Sequence, residues 1–244
     1  MRAKAAKSSR PINAQSMTYS EPKRAKGKRE ANKIDKLDRI KRAARELFTT
    51  VGYDEATTRQ IAKKAGVALG TIFTYATTKR DLLFLVSDDL LAGARDLATH
   101  SFRPDRSLEH NFVAFCAVFY KVIKKQPKLS KLVFRDLSFY DSGIHSVAVL
   151  ANRVRTLKSV ESLVIAAHKK GEIRLSVPAE FVAWLLFSIF QAENRRWLSL
   201  DRHDLEEGLC HLWTSVALLL NGLSVKPASH RPTRVELQEI LTKP

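Results

Sequence analysis

The sequence is poor in cysteine and has no long run of apolar residues, and both absences exclude classes of protein. Its two cysteines, Cys116 and Cys210, lie far apart and lack CxxC spacing, so we interpret each as a buried, reduced thiol. No stretch of 18 apolar residues is present, and no segment has the apolar region of a signal peptide. We therefore expect a chain that is neither secreted nor inserted in a membrane, and that is located in the cytoplasm.

The common catalytic and metal-binding motifs are missing as well. We find no GxSxG, GxxxxGK, GxGxxG or HExxH, which are the patterns that place a nucleophile, a phosphate cradle or a zinc ion. The seven histidines have no paired spacing with carboxylates or cysteines, so we expect no metal site and no cofactor. The sequence predicts a protein that is not an enzyme.

Acidic residues are scarce relative to basic ones, and the imbalance is greatest at the N-terminus. The chain has 25 Asp or Glu against 42 Lys or Arg, a formal net charge of +17, which favours an anionic partner. Residues 1–33 contain ten Lys or Arg, two Glu and few apolar side chains, so we expect this arm to be disordered on its own. Two interpretations of the arm stay open: it binds DNA phosphates or the minor groove, or it is a solvated tail.

The segment most informative about function is residues 57–76, which has the pattern of a helix-turn-helix. Thr57 and Gln60 have the spacing of a capping box and predict a helix start. Apolar residues at Ile61, Ala62 and Ala65 give that helix one buried face. Gly66 follows where the chain must reverse, and the next segment, LGTIFTY, forms a second helix with small or polar residues on its outer face.

The flanking sequence supplies helices that would hold this pair rigid. An apolar stripe over residues 40–48 predicts a helix before the motif, ending near Gly52. Thr78 and Asp81 open another helix after it. Two helices and a turn occur in many proteins, but this combination is more typical of a DNA-binding head.

Taken together, the stretch IKRAARELFTTVGYDEATTRQIAKKAGVALGTIFTYATTKRDLL resembles the tetracycline-repressor (TetR) family of bacterial regulators. The resemblance covers about 45 residues and implies an all-α fold. An N-terminal three-helix helix-turn-helix domain (34–86) would be followed by a C-terminal helical domain for effector binding and dimerisation (87–223). Residues 224–244 would form a C-terminal tail with a short helix.

The resemblance also implies which residues contact DNA. Thr58 and Lys79 match phosphate-contacting positions, in agreement with the free N–H groups and partial positive charge of helix N-termini. Thr71 and Thr74 match positions that read base edges. The full set of expected DNA contacts is Thr58, Arg59, Leu69, Gly70, Thr71, Thr74, Tyr75 and Lys79.

The chain departs from the family pattern within the recognition helix. Phe73 stands where a phosphate-contacting Tyr is usual, and Tyr75 and Ala76 replace an aromatic pair. Either Tyr75 makes the phosphate contact or its ring is only solvated, and Phe73 can belong to the core. Ala68 stands where a capping Ser is common.

Beyond residue 104 the sequence predicts longer and more apolar helices. Apolar stripes indicate helices over 112–123, 129–140 and about 144–170. Pro178 suits the first turn of a further helix, and Asp204 suits the cap of the last long one. The resemblance implies that these last two long helices pair with their copies in a homodimer.

An effector pocket is expected among these helices, because a family regulator responds to a small molecule. We expect it to be lined by Phe112, Phe115, Phe119, Phe134, Phe139, Tyr140, Trp184, Phe187 and Gln191, although aromatic residues at helical spacing are also typical of an ordinary core. The predicted function is a ligand-responsive transcriptional regulator, a repressor, that binds a palindromic operator in double-stranded DNA as a dimer and is released by a small apolar or aromatic effector. It would lie on the bacterial nucleoid when bound. The alternative is a non-specific architectural DNA-binding protein.

Overall fold

The computed structural model describes residues 23–137, 143–221 and 233–242, and the secondary structure of these residues is helical without any strand. The helices are α1 (Lys23–Thr50), α2 (Thr58–Ala65), α3 (Leu69–Tyr75), α4 (Lys79–Thr99), α5 (Leu108–Lys125), α6 (Pro127–Leu137), α7 (Ser146–Lys169), α8 (Ala179–Ser199), α9 (Leu205–Asn221) and α10 (Arg234–Thr242). The all-α prediction is confirmed. Among the described helices, none is both long and apolar enough to cross a membrane.

The chain divides into two units between Asp35 and Lys36, inside α1. Because α1 begins at Lys23, the expectation of a disordered arm is wrong for residues 23–33. This stretch, KRAKGKREANK, is rich in Lys, Arg, Ala and Glu, which are good helix formers, and it extends a helix that needs no new nucleation. The remainder of the predicted arm, residues 1–22, lies outside the described residues.

The helix-turn-helix region has its own apolar core within the second unit. Side chains from α1, α2, α3 and α4 meet there, with Ile40, Phe48, Ile61, Ile72 and Leu82 almost completely buried. The predicted three-helix arrangement around the motif is therefore formed by local apolar stripes.

Helix α6 completes this core from a distant part of the sequence. Leu129 and Val133 are buried in the same cluster as the residues of α1 to α4. The guanidinium of Arg80, at the start of α4, also donates to the backbone oxygen of Asp136 near the end of α6 (3.0 Å). The core of the helix-turn-helix region, which we call the head, therefore includes residues of α6 as well as of α1 to α4.

Helix α5 lies at the centre of the larger core, in contact with α4, α7 and α9. Its N-cap is Ser107, whose hydroxyl accepts from the His110 N–H (3.2 Å), and almost every residue of its first three turns is buried. A helix that is apolar around most of its circumference is typical of such a central position.

The C-terminal tail contains the expected short helix, α10. Thr233 and Glu236 form its capping box, and Leu237 and Ile240 are buried against the larger core. The Glu239 carboxylate accepts from the Arg106 guanidinium at 2.7 Å, which ties α10 to the start of α5.

Helix ends agree closely with the signals in the sequence. The Asp204 carboxylate accepts from the Glu207 N–H (2.9 Å), so the predicted cap of α9 is confirmed. Pro178 lies one position earlier than expected, because it is the residue before the first turn of α8. The proposed boundary between residues 86 and 87 falls inside α4, which continues from the head into the larger core. That division stays a prediction.

Candidate DNA-binding surface and adjoining cavities

Helix α2 begins and ends as its sequence requires. The Thr57 hydroxyl accepts from the Gln60 N–H (3.2 Å), and the Gln60 side chain accepts in return from the Thr57 N–H (2.8 Å). Gly66 has φ 63° and ψ 40°, a left-handed conformation that glycine adopts without a Cβ penalty. Arg39 of α1 donates to the Ala65 carbonyl (3.0 Å), which fixes the turn against α1. Thr58 therefore lies at a rigid helix N-terminus, where N–H groups can face an anion.

The next helix, α3, presents small and polar residues outward. Ile72 is fully buried, whereas Gly70 and Thr74 are exposed and Thr71 is half-buried. A Cβ built on Gly70 would meet no atom within 4 Å, so this point of the helix faces open space. Such a surface lets a backbone approach a DNA groove closely.

Phe73 does not belong to the core, because 48% of its surface is exposed. The core interpretation of this residue is therefore wrong. Ala68, as its lack of a hydroxyl implies, provides no side-chain cap to α3. Tyr75 is half-buried, and its backbone oxygen accepts from Nε2 of His145 (2.8 Å), a contact from the chain just before α7 that the sequence did not predict.

The start of α4 is organised around a buried carboxylate. Asp81 accepts from the Thr77 N–H (3.0 Å), the Thr77 hydroxyl (2.6 Å) and the Thr78 N–H (2.9 Å). The Thr78 hydroxyl accepts in return from the Asp81 N–H (3.0 Å), so the predicted helix start is confirmed. These bonds hold the first turn of α4, and with it Lys79, in one orientation.

Lys79 lies beside the loop that precedes α2. Its Nζ donates to the Asp54 carbonyl (2.8 Å) and lies 4.8 Å from the centre of the Tyr53 ring. Burial, and secondarily the Asp136 carboxylate, raise the pKa of Tyr53, so the ring remains neutral beneath the ammonium. An ammonium has three N–H donors, and only one is used by Asp54, which is compatible with a phosphate contact.

A cavity of about 90 Å³ lies between α4, α7 and α8. Its apolar wall includes Phe84 and Leu91 of α4, Phe119 of α5 and Phe134 of α6. Polar residues of α4, α7 and α8 line it as well, among them Asp88, Asn152 and Gln191. Such a combination of an apolar wall and a few polar groups is typical of a ligand pocket.

We call this cavity the near chamber. Three of its polar lining residues are hydrogen-bonded to one another. Asn152 of α7 accepts from the Arg95 guanidinium of α4 (2.9 Å) and donates to the Asp88 carboxylate. Arg153 and Gln191 also line it. These polar residues interrupt otherwise apolar helix faces, which is the signal in the sequence by which they could have been found.

A second cavity of about 130 Å³, the far chamber, lies between α4, the end of α5 and α6. It is lined by Val122, Leu129 and Val133, among others, and it shares Ser87, Leu91 and Phe134 with the near chamber. No pattern in the sequence predicted it, because its walls come from three helices whose packing is not encoded locally.

The structure places the nine residues expected in the effector pocket at several locations. Four of them, Phe119, Phe134, Phe187 and Gln191, line the near chamber. Phe139 and Tyr140 lie outside the described residues.

The other three expected pocket residues do not line the near chamber. Phe112 and Phe115 are buried in the larger core, on the turns of α5 that come before Phe119. Trp184 is 52% exposed on α8, because it lies on the helix face opposite the buried residues Val182 and Leu186. Helical spacing alone does not reveal which neighbour an aromatic side chain meets.

Within the described residues, no group of three or more His, Cys, Asp or Glu side chains is arranged to hold a metal ion. The buried thiol of Cys116 has a raised pKa because burial disfavours the thiolate.

Comparison with known proteins supports the sequence resemblance. Residues 40–86 match the family model described as "Bacterial regulatory proteins, tetR family". The chain is 27% identical over 176 residues to the HTH-type transcriptional regulator HbdR of Aromatoleum sp. (strain CIB), covering 68% of this chain and 74% of that protein.

Solved structures share the fold at lower identity. Thermus thermophilus FadR, a TetR-family transcriptional repressor in complex with lauroyl-CoA, has a TM-score of 0.63 and 24% identity, covering 81% of this chain and 99% of that one. Bacillus subtilis FadR in complex with stearoyl-CoA has a TM-score of 0.57 and 20% identity, covering 75% of this chain and 95% of that one.

The matched segment begins in α1 and ends in α4, so it contains the capped α2, the glycine turn and α3. In this segment the chain matches the TetR family of bacterial regulators, and over most of its length it is similar to a transcriptional regulator of the helix-turn-helix type.

Proposed function

We propose that this protein is a ligand-responsive repressor that binds an inverted-repeat operator as a homodimer and leaves it when an acyl-CoA occupies the near chamber. The observation that carries the proposal is the course of α4. This helix starts at Lys79 on the candidate DNA surface and contributes Phe84, Asp88, Leu91 and Arg95 to the chamber wall.

The arrangement of the helix-turn-helix region, α1 to α4, supports specific DNA binding by α3. Gly70, Thr71 and Thr74 lie on its outer side, where their backbone and hydroxyl groups can reach base edges in the major groove. Thr58 and Lys79 lie at the N-termini of α2 and α4, where they would contact phosphates and set the register.

The exposed faces of α8 and α9 support a homodimer. Phe181 and Trp184 are 49% and 52% exposed on α8, and their rings stack with centroids 6.0 Å apart. Leu218 of α9 is 60% exposed. Large apolar side chains on the outer faces of two adjacent helices are typical of a subunit interface. A two-fold axis there would present two α3 helices to a palindromic site.

The near chamber supports an effector with an apolar chain and a polar or anionic head. Its aromatic and aliphatic residues suit hydrocarbon, and Arg95 and Arg153, whose residue type binds anionic groups, also line it. Two relatives of the same fold are described as complexes with lauroyl-CoA and stearoyl-CoA, which supports an acyl-CoA for this chain.

Release would follow from a change in the separation of the two heads. A ligand shifts an equilibrium only by its difference in affinity for the two states, so an acyl-CoA must bind better to a conformation whose heads no longer fit successive grooves. The continuous helix α4 connects the chamber wall to the head in each subunit.

Footprinting tests the proposal on the DNA that flanks the gene. A dimeric repressor should protect an inverted repeat with half-sites one or more helical turns apart, about 34–36 Å per turn. Adding palmitoyl-CoA should remove the protection. The matched control is the same DNA with five base pairs inserted between the half-sites, which places them on opposite faces of the helix.

Uniform protection along both the original and the altered DNA, without a defined site, would instead indicate an architectural DNA-binding protein. The net charge of +17 also allows that function. Operator protection that no acyl-CoA affects would retain the repressor and refute the effector class.

A further inference from the structure

An exposed cation of α6, Arg135, lies beside the candidate DNA-binding surface. Its guanidinium carbon is 6.0 Å from the centre of the Tyr53 ring, and Nζ of Lys79 is 4.8 Å from the centre of the same ring. Arg135 is in the last turn of α6, whereas Lys79 is the first residue of α4. Two cations from distant parts of the sequence therefore meet at one aromatic side chain.

Packing within the head holds this end of α6 in place. Val133, two residues before Arg135, is buried in the cluster of α1 to α4. The Arg80 guanidinium donates to the Asp136 carbonyl, one residue after Arg135 (3.0 Å). The Tyr53 ring in turn packs on that of Phe48, with centroids 5.1 Å apart. The position of Arg135 relative to Lys79 is thus set by the core of the head.

The carboxylate bonded to Arg135 orients the guanidinium without covering it. Nε of Arg135 donates to Oδ1 of Asp136 (3.2 Å), and this bond raises the pKa of Arg135, so the guanidinium keeps its charge. The charge of Asp54 acts in the same direction with a smaller effect. The side chain of Arg135 is 57% exposed, whereas that of Asp136 is 17% exposed. An anion that approaches from solvent therefore meets the guanidinium before the Asp136 carboxylate.

We propose that Arg135 is a phosphate-binding residue, and that the DNA-binding surface extends from the start of α4 onto the end of α6. Each strand of DNA has one negative charge per ~3.4 Å of helix axis, so a strand that contacts Lys79 has further phosphates near the same ring. A guanidinium binds a phosphate through two parallel N–H groups, which suits this position to Arg.

This inference rests on the proposed DNA binding by the head and adds a contact from outside the matched segment, residues 40–86. Phosphates contain no sequence information, so Arg135 contributes equally to operator and random DNA. Its contribution is electrostatic and depends on the release of counterions. The slope of log affinity against log salt concentration therefore measures it directly.

The test measures this slope between 50 and 200 mM salt by fluorescence anisotropy, with full-length protein and labelled operator and random duplexes. Arg135→Gln should reduce the slope by about 0.9 on both DNAs, so the affinity ratio of wild type to variant should be about 3.5-fold larger at 50 mM than at 200 mM. Arg135→Lys keeps the charge and should keep the wild-type slope. Arg135→Met, which retains an apolar stem against Tyr53, should behave like Arg135→Gln and serves if that variant folds poorly.

The matched control is Lys128→Gln, which removes one exposed cation from the same face of the same helix. Lys128 lies seven residues before Arg135, about 10 Å away along the helix axis, and this exceeds the ~8 Å Debye length at physiological salt. Its removal should leave the slope unchanged.

Two results would overturn the inference. The first is an unchanged slope in Arg135→Gln and Arg135→Met, together with a lower melting temperature, which would make Arg135 a structural partner of Tyr53 and Asp136. The second is an equal decrease of the slope in Lys128→Gln, because the effect would then depend on net charge and not on position. Neither result affects the proposed DNA binding if Lys79→Gln still lowers the slope, whereas a wild type that binds no DNA would refute that function and the Arg135 contact together.

Discussion

Gly208 of α9 occupies a position where the packing of three helices leaves no room for a side chain. A Cβ built there would lie 2.8 Å from Nε1 and 2.9 Å from Cδ1 of Trp197, and 2.9 Å from Cε1 of Tyr120. Carbon atoms in contact prefer about 3.5–4.0 Å, so Gly208→Ala requires displacements of about 0.6–1 Å. Neither ring can move easily, because both are fully buried and their centroids lie 4.7 Å apart.

The cost can be estimated from three contributions. Overpacking of this kind costs about 1–3 kcal/mol. Displacing Trp197 also lengthens the hydrogen bond from its indole N–H to the Asp204 carbonyl (2.8 Å), which contributes about 1 kcal/mol. The higher helix propensity of alanine offsets about 1 kcal/mol. We expect a net loss of about 2 kcal/mol in the free energy of unfolding, and a melting temperature lower by about 4–8 °C.

Gly93→Ala is the matched control. This glycine lies in α4, on an exposed face, and a Cβ there meets no atom within 4 Å. The same substitution should therefore stabilise the protein by about 0.4–1 kcal/mol. Thermal unfolding followed by circular dichroism, at equal protein concentration, measures both. A Gly208→Ala variant with a melting temperature equal to or above that of the wild type would refute the close packing of α5, α8 and α9 at this position.

Three further predictions concern DNA binding and the turn that supports it. Lys79→Ala should weaken binding to operator and random DNA by similar factors, whereas Thr71→Ala should cost about 1–3 kcal/mol on the operator and little on random DNA. Gel shifts on both DNAs distinguish them, and identical effects of the two variants would refute the assignment of α3 as the reading helix. Deleting residues 1–33 should reduce the salt dependence of binding, by about 0.9 in the log–log slope for each phosphate that the segment neutralises, and an unchanged slope would make the segment a passive tail. Gly66→Ala should destabilise the protein by about 1–2 kcal/mol in urea unfolding because φ is +63°, and a neutral effect would contradict the left-handed turn.

Short sequence patterns correctly predicted where helices of this fold begin and where the chain turns. The capping box at Thr57, the helix start at Thr78 and the glycine turn at residue 66 are confirmed, since each depends on hydrogen bonds or backbone angles inside one turn. The pattern around them also matched a family, which made the head identifiable. The DNA contacts assigned from that match stay predictions.

Features that depend on how distant helices meet were much harder to predict. Phe115 and Phe119 lie one turn apart on the same side of α5, yet only Phe119 reaches the near chamber. The bonds from Arg80 to Asp136 and from His145 to Tyr75 join residues 56 and 70 positions apart. Local periodicity contains no information about such pairings. It indicates which face of a helix is buried, but not which other helix covers that face.

The burial of Leu129 and Val133 in the head has a consequence for engineering and evolution. DNA-binding heads are attractive parts for chimeric regulators, and a graft that stopped within α4 would take the whole matched segment, residues 40–86. It would leave behind the two side chains of α6 that close the core of that head. In this protein the transplantable module is discontinuous in sequence, and exchange of specificities by recombination must carry α6 along or rebuild its contact surface.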